Sequence, residues 1–208
     1  MNQKNSLGLN NCFLDLDDPI QLFKTWMDEA KKSEPNDPNA VSLATSNKNN
    51  FPSVRMVLLK DFSQNGFVFY TNLKSKKGNE LKENPKVAMC FHWKSLLRQI
   101  RINGTVTQVA DEVADKYYNS RSYESRIGAW ASKQSEELIN RDQLINSIKE
   151  YKNKYNEENK VPRPSHWSGW ILSPLSIEFW LDGDNRMHER LKYTKASSGQ
   201  WSKSLLSP

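Results

Sequence analysis

Glycine is scarce in this chain: there are eight among 208 residues, and none fall as G-x-G-x-x-G or as a P-loop. The usual backbone cradles for dinucleotides and nucleoside triphosphates are therefore missing, and any bound phosphate must be gripped by side chains. Cysteine is scarcer still. Cys12 and Cys90 are too few and too far apart for a disulfide framework or a four-ligand zinc site, which suits a reducing cytoplasm. The three histidines, His92, His166 and His188, are scattered outside any H-E-x-x-H spacing, so no metal is expected. There is no G-x-S-x-G elbow, and alternation places Cys90 inside a strand, where it reads as packing rather than as a nucleophile. No apolar run approaches the roughly 18 residues of a membrane span, and the first residues hold no signal-peptide stretch. A soluble, cytoplasmic protein with no membrane contact is the expectation.

What is present is a moderate excess of cations, 30 Lys plus Arg against 24 Asp plus Glu, for a formal charge of +6. That excess attracts phosphates of any kind, nucleic acid included, but it is spread along the chain. Its densest cluster, Lys74 to Lys82, suits a solvated helix face. Charge alone singles out no partner.

The chain reads as a polar, mobile arm over residues 1–17 followed by one domain over 18–208. Asp18, Pro19 and Gln21 mark a helix start, and Leu22, Phe23, Trp26, Met27 and Ala30 give the helix to about Lys32 one apolar face. Strand patterns follow at Ala40–Thr45, Ser53–Asp61, Gly66–Thr71, Lys86–Trp93 and Leu97–Val109, with a hairpin at Asn65-Gly66 and a bulge or bend at Asn103-Gly104. Helices are expected over Asp111 to about Arg121 and over Ser135 to about Tyr155, then strands at Gly169–Leu181, Met187–Tyr193 and from Trp201. Strands, then helices, then strands again point to an α+β fold, an antiparallel sheet or small barrel flanked by helices.

Three constellations could carry chemistry. Tyr117, Arg121 and Ser125 are four residues apart, which on a continuous helix stacks a phenol, a guanidinium and a hydroxyl into a phosphate grip; the same spacing also suits an ordinary solvated face, and Asn119-Ser120 offers the helix a place to end. Arg186, His188 and Arg190 alternate, so an extended strand would project them to one side, toward an anionic ligand or into a surface charge mosaic with Asp182, Asp184 and Glu189. Ser75-Lys76-Lys77 sits at a helix start, a ready anion site. In Arg55 to Lys60, alternation puts the two cations on opposite faces.

The order and wording of these segments resemble the pyridoxine/pyridoxamine 5'-phosphate oxidase family. The matching pieces are RMVLLK (Arg55–Lys60), GFVFYTNL (Gly66–Leu73), Arg98-Gln99, Ser120-Arg121 with Ser125, Ile127–Trp130, Ser132–Ser135, Val161–Trp167, and Ile177–Trp180 with Arg186-x-His188-x-Arg190. The resemblance implies an FMN-binding split β-barrel, antiparallel with flanking helices, and a homodimer with FMN at the interface. It implies FMN contacts at Arg55, Met56, Val57, Leu58, Leu59, Lys60, Tyr70, Thr71, Lys76, Lys77, Gln99, Gln134, Ser135, Trp180 and Arg190. Substrate contacts would be Lys60, Tyr117, Arg121, Ser125, Arg186 and His188, the last two acting in catalysis. The implied reaction takes pyridoxine 5'-phosphate or pyridoxamine 5'-phosphate to pyridoxal 5'-phosphate, reducing oxygen to hydrogen peroxide. A flavin reductase of the same barrel, a pyridoxal phosphate carrier and a basic nucleic-acid binder are the alternatives.

Overall fold

In the computed structural model, which describes residues 4–208, helix α1 (Pro19–Ser33) begins where the sequence puts it. The Asp18 carboxylate accepts a hydrogen bond from Ile20 N at 2.9 Å, satisfying one of the amides that a helix start leaves free. The apolar face of α1 is fully withdrawn from solvent. Phe23 meets the rings of Phe62, Phe67 and Phe91 at 4.8, 4.9 and 5.4 Å, and Trp26 meets Phe179 at 5.2 Å. At about 2–3 kcal/mol per buried large side chain, this helix is a main stabiliser of the sheet it fills.

The described residues form one curled antiparallel sheet. Its strands are β1 (Ala40–Ser46), β2 (Pro52–Leu58), β3 (Asp61–Ser63), β4 (Gly66–Asn72), β5 (Lys86–Trp93), β6 (Arg98–Gln108), β7 (Trp167–Leu181), β8 (Glu189–Lys195) and β9 (Trp201–Leu205). The order is β2-β1-β5-β6-β7-β4-β3, with β8 also paired to β7 and β9 paired to β8. β4 pairs with residues 167–172 of β7 and β8 with residues 176–181, so two strands share one edge of β7 and the sheet splits there. Gly66 closes the β3–β4 hairpin at φ 134°, where a side chain would strike the backbone of Leu172. The bend expected at Asn103-Gly104 is present as a register shift between those residues.

Helix α2 (Lys76–Glu83) is capped by Ser75, whose hydroxyl accepts from Gly78 N. Between β6 and β7 lie α3 (Asp111–Asn119), α4 (Tyr123–Ala131) and α5 (Arg141–Lys154). Several expectations are corrected here. The helix expected through Arg121 stops at Asn119, because Ser120 Oγ bonds back to Tyr117 O and Ser122 caps a new helix. The helix expected from Ser135 starts only at Arg141, with Asn140 as its cap, and Ser135 takes a left-handed φ of 75°. The segment Ser53–Asp61 is two strands that part at Leu59-Lys60. Arg186 and His188 precede β8 in a tight turn, with Asn185 and Arg186 at φ 54° and 64°, so alternation does not align them with Arg190.

Residues 1–3 of the expected mobile arm lie outside the described residues. The rest packs on the barrel: Phe13 is fully buried, Trp26 Nε1 donates to Cys12 O at 2.7 Å, and Tyr193 Oη donates to Leu16 O at 2.7 Å. Polarity hid this, since a few apolar side chains and backbone carbonyls make the contacts.

Candidate functional site

A cleft of about 430 Å³ opens between β2, β4, α2 and the α3–α4 segment. Tyr117 reaches it from the last turn of α3, Arg121 from the linker and Ser125 from the first turn of α4. The three therefore share a cleft without sharing a helix. Lys60 joins them because the chain leaves strand geometry after Leu58, which removes the alternation that would have turned it away.

Rings build the wall behind these groups. Tyr70 stacks on Tyr117 at 4.0 Å and 14°, and on Trp167 at 5.3 Å and 8°. Burial, and then the neighbouring Tyr117, push the Tyr70 phenol above its ordinary pKa. Gly169 makes the stack fit, since a Cβ there would come within 2.7 Å of the Tyr70 ring. The Arg121 guanidinium lies 4.8 Å from the Trp167 ring centre, and its buried Nη1 has no hydrogen-bond partner among the described residues. Burial lowers its pKa, which marks a cation short of compensation.

At the other end of the cleft Lys77 Nζ donates to Gln134 Oε1 at 2.8 Å and to Thr71 Oγ1 at 3.0 Å. Burial, reinforced by Arg55, pushes this ammonium down to about 8. Arg55 itself turns toward Glu80, at 3.3 Å, and Lys76 pairs with the same carboxylate at 3.0 Å. Burial opposes ionisation of Glu80, but hydrogen bonds from Thr45, Ser53 and Lys76 prevail and hold its pKa at about 2. Met56, Val57 and Leu58 supply an apolar side, Leu59 is buried beneath it, and Ser135 follows the lining residue Gln134. The donors at Lys77 and the apolar side of β2 suit a ligand with a phosphate and a flat apolar ring, which FMN has.

The other expected residues gather elsewhere. Gln99, Trp180 and Arg190 are register partners across β6, β7 and β8, forming one row on the sheet's outer face. The Trp180 and His188 rings lie 4.6 Å apart, and His188 Nδ1 is 2.9 Å from Asp182 Oδ1. Arg190 is held by Glu178 at 2.8 Å and by Ser207 O at 2.8 Å, while Arg186 is exposed in the adjoining turn. Trp167 and Trp180 stand near opposite ends of β7, about 40 Å apart if the strand were straight. One chain therefore divides the expected residues into two groups.

Sequence reasoning missed Asn72, Gly128, Ala129, Ser132 and Trp167 in the cleft lining. All five lie inside segments that carry the family resemblance, but none has a side chain whose type or spacing marks it as a cleft residue.

Comparison with known proteins bears on these groups. A family model described as pyridoxamine 5'-phosphate oxidase matches residues 27–155, and one described as the pyridoxine 5'-phosphate oxidase C-terminal dimerisation region matches residues 167–208. The chain is 73% identical over 208 residues to a pyridoxine/pyridoxamine 5'-phosphate oxidase of Pelagibacter ubique (strain HTCC1062), covering 100% of both chains. It is 54% identical over 197 residues to one from Allorhizobium ampelinum, covering 94% of this chain and 95% of the other. PhzG from Burkholderia lata 383, solved with tetrahydrophenazine-1-carboxylic acid, matches with a TM-score of 0.88 at 29% identity over 95% of this chain and 96% of that one. A pyridoxamine 5'-phosphate oxidase-related, FMN-binding protein of Nostoc punctiforme PCC 73102 shares the fold, with a TM-score of 0.74 at 14% identity over 92% and 98% of the two chains.

Proposed function

This chain belongs to the pyridoxamine 5'-phosphate oxidase family, and from that premise we propose that it oxidises pyridoxine 5'-phosphate and pyridoxamine 5'-phosphate to pyridoxal 5'-phosphate. Oxygen is the final acceptor and hydrogen peroxide the second product; the amine substrate yields an imine that water hydrolyses. FMN, when bound, supplies the two-electron acceptor that a protein side chain cannot.

The observation that carries the reading is Arg121, a half-buried guanidinium whose buried Nη1 has no partner among the described residues, beside Lys60, Tyr117 and Ser125. A site that keeps a cation uncompensated gains most from a dianionic ligand, and the 5'-phosphate is the handle common to these substrates. Lys77, Thr71 and Gln134 would hold the FMN phosphate, with Arg55 and Lys76 adding charge through the Glu80 cluster. Met56 to Lys60, Tyr70 and Ser135 would line the flavin.

Gln99, Trp180, Arg190, Arg186 and His188 would come from the partner in a homodimer, since β7 keeps them far from their own chain's cleft. The exposed apolar side chains Val54, Met56 and Leu58 on edge strand β2, next to the cleft, suit such an interface. Arg186 and His188 would then orient the substrate ring and hold charge where its exocyclic carbon loses hydride. No helix among the described residues is long and apolar enough to cross a membrane, in keeping with the proposed cytoplasmic location.

The test is to purify the protein, record its visible spectrum and follow oxygen uptake with each phosphorylated vitamer. A yellow protein releasing FMN and forming peroxide from either vitamer supports the reading. Flavin without vitamer-dependent uptake would favour a reductase; salt-sensitive nucleic-acid binding by a colourless protein would overturn the reading entirely.

A further inference from the structure

Most of the partly buried arginines of this chain pair with a carboxylate, and one of them, Arg98, also lies 4.7 Å from the ring centre of Trp26. Arg55, Arg98, Arg163 and Arg190 each pair with a carboxylate, from Glu80, Glu29, Asp111 with Asp115, and Glu178 respectively. Arg121 pairs with none among the described residues. Its guanidinium instead lies 4.8 Å from the Trp167 ring centre and 5.8 Å from that of Tyr118. Arg126, also buried and without an ion pair among the described residues, adds like charge and further disfavours the Arg121 cation. Trp167 is itself almost fully buried, lies parallel to Tyr70 and Tyr117 within 8°, and has its carbonyl pinned by Arg163 Nη1 at 2.9 Å. The platform is thus rigid.

We infer that Trp167 is a positioning residue for the substrate phosphate: its indole face holds the Arg121 guanidinium in the place a carboxylate would occupy, and so leaves that charge free for the ligand. The inference rests on the phosphate site proposed above. A carboxylate would fix the guanidinium equally well but would cancel the field that an incoming dianion meets. A π face attracts the cation while contributing no net charge.

The test compares Trp167→Phe, which keeps a π face, with Trp167→Met, which keeps an apolar side chain without one, in the FMN-loaded enzyme. Each is made in the wild-type and in the Arg121→Met background. KM and kcat for pyridoxine 5'-phosphate are measured, together with equilibrium binding of pyridoxal 5'-phosphate. With about 1.4 kcal/mol assigned to a desolvated cation–π contact, Trp167→Met should raise KM and the product Kd about tenfold with kcat within about twofold. Trp167→Phe should stay within about threefold, and neither change should matter further once Arg121 is methionine.

Equal effects of Phe and Met, or a Trp167→Met effect that persists in full beside Arg121→Met, would mean that Trp167 only packs, and the inference falls. If Trp167→Met does not fold, a polyfluorinated tryptophan at position 167 drains the ring face without changing its shape; an unchanged KM there also overturns it. Should Arg121→Met itself leave KM unaltered, the phosphate site is wrong and this inference falls with it, an outcome distinct from the others.

Discussion

Raising the pH from 7 to 9 should weaken FMN binding about tenfold, because Lys77 would have to be reprotonated to hold the cofactor phosphate. In the ligand-free cleft burial and Arg55 keep this ammonium at about 8, against an ordinary 10.5. A bound dianion restores the charged form, so the pKa in the complex returns at least to its ordinary value. At pH 7 most of the free protein already carries the proton; at pH 9 about one molecule in eleven does, and binding must take up the missing proton. The full gap corresponds to about 3 kcal/mol at about 1.36 kcal/mol per pH unit, an upper limit that salt and partial exposure reduce. A phosphate monoester has its second pKa near about 6, so the ligand is already dianionic across this range. The assay is a titration of FMN-free protein by flavin fluorescence at several pH values. Lys77→Arg, whose guanidinium does not titrate there, should bind at pH 7 and lose the slope. A flat wild-type profile, or an unchanged slope in Lys77→Arg, would refute the reasoning. The stability of the FMN-free protein should move the opposite way. A lysine whose folded pKa is depressed binds fewer protons than the unfolded chain between about 8 and 10.5, so its contribution rises with pH in that window.

Three further outcomes follow from the same geometry. Arg121→Ala should raise KM for both vitamers by one to two orders of magnitude while kcat falls little, since it deletes phosphate binding shared by ground and transition states; steady-state kinetics check this. Arg186→Leu should cut kcat strongly while the visible spectrum reports near-normal flavin content, and unchanged turnover removes Arg186 from the active site. Glu80, held at about 2 against an ordinary 4.5, gives up to about 3 kcal/mol that is fully present above pH 4.5 and lost as the pH falls through 2. Glu80→Gln should flatten that acid dependence in urea unfolding and leave Arg55 and Lys76 without their counter-charge.

The fold was largely legible because β1, β5 and much of β6 alternate and α1 carries a periodic apolar face that closes on Phe62, Phe67 and Phe91. What local pattern could not supply was where helices stop. Tyr117, Arg121 and Ser125 looked like one helical face, yet Ser120 and Ser122 divide the helix, and the three meet because both pieces border the same cleft. Lys60 and Arg55 fall as they do because β2 ends between them. The Gln99–Trp180–Arg190 row depends on the pairing of β6 with β7, segments about 80 residues apart in the chain and beyond the reach of any local period. The resemblance named these residues, and the register shows that three of them adjoin. The cleft-facing role of Trp167 needed three dimensions altogether.

The split of β7 has a genetic consequence. Because that strand carries one group of residues near its start and the other near its end, a paired molecule would house two sites, each assembled from both polypeptides. Mixing Arg121→Ala and Arg186→Leu chains, assayed at a substrate concentration far below the raised KM of the first so that neither alone turns over appreciably, should then regenerate about a quarter of wild-type turnover. Half of randomly re-paired molecules are hybrids, and in every hybrid one site escapes both lesions while the other collects them.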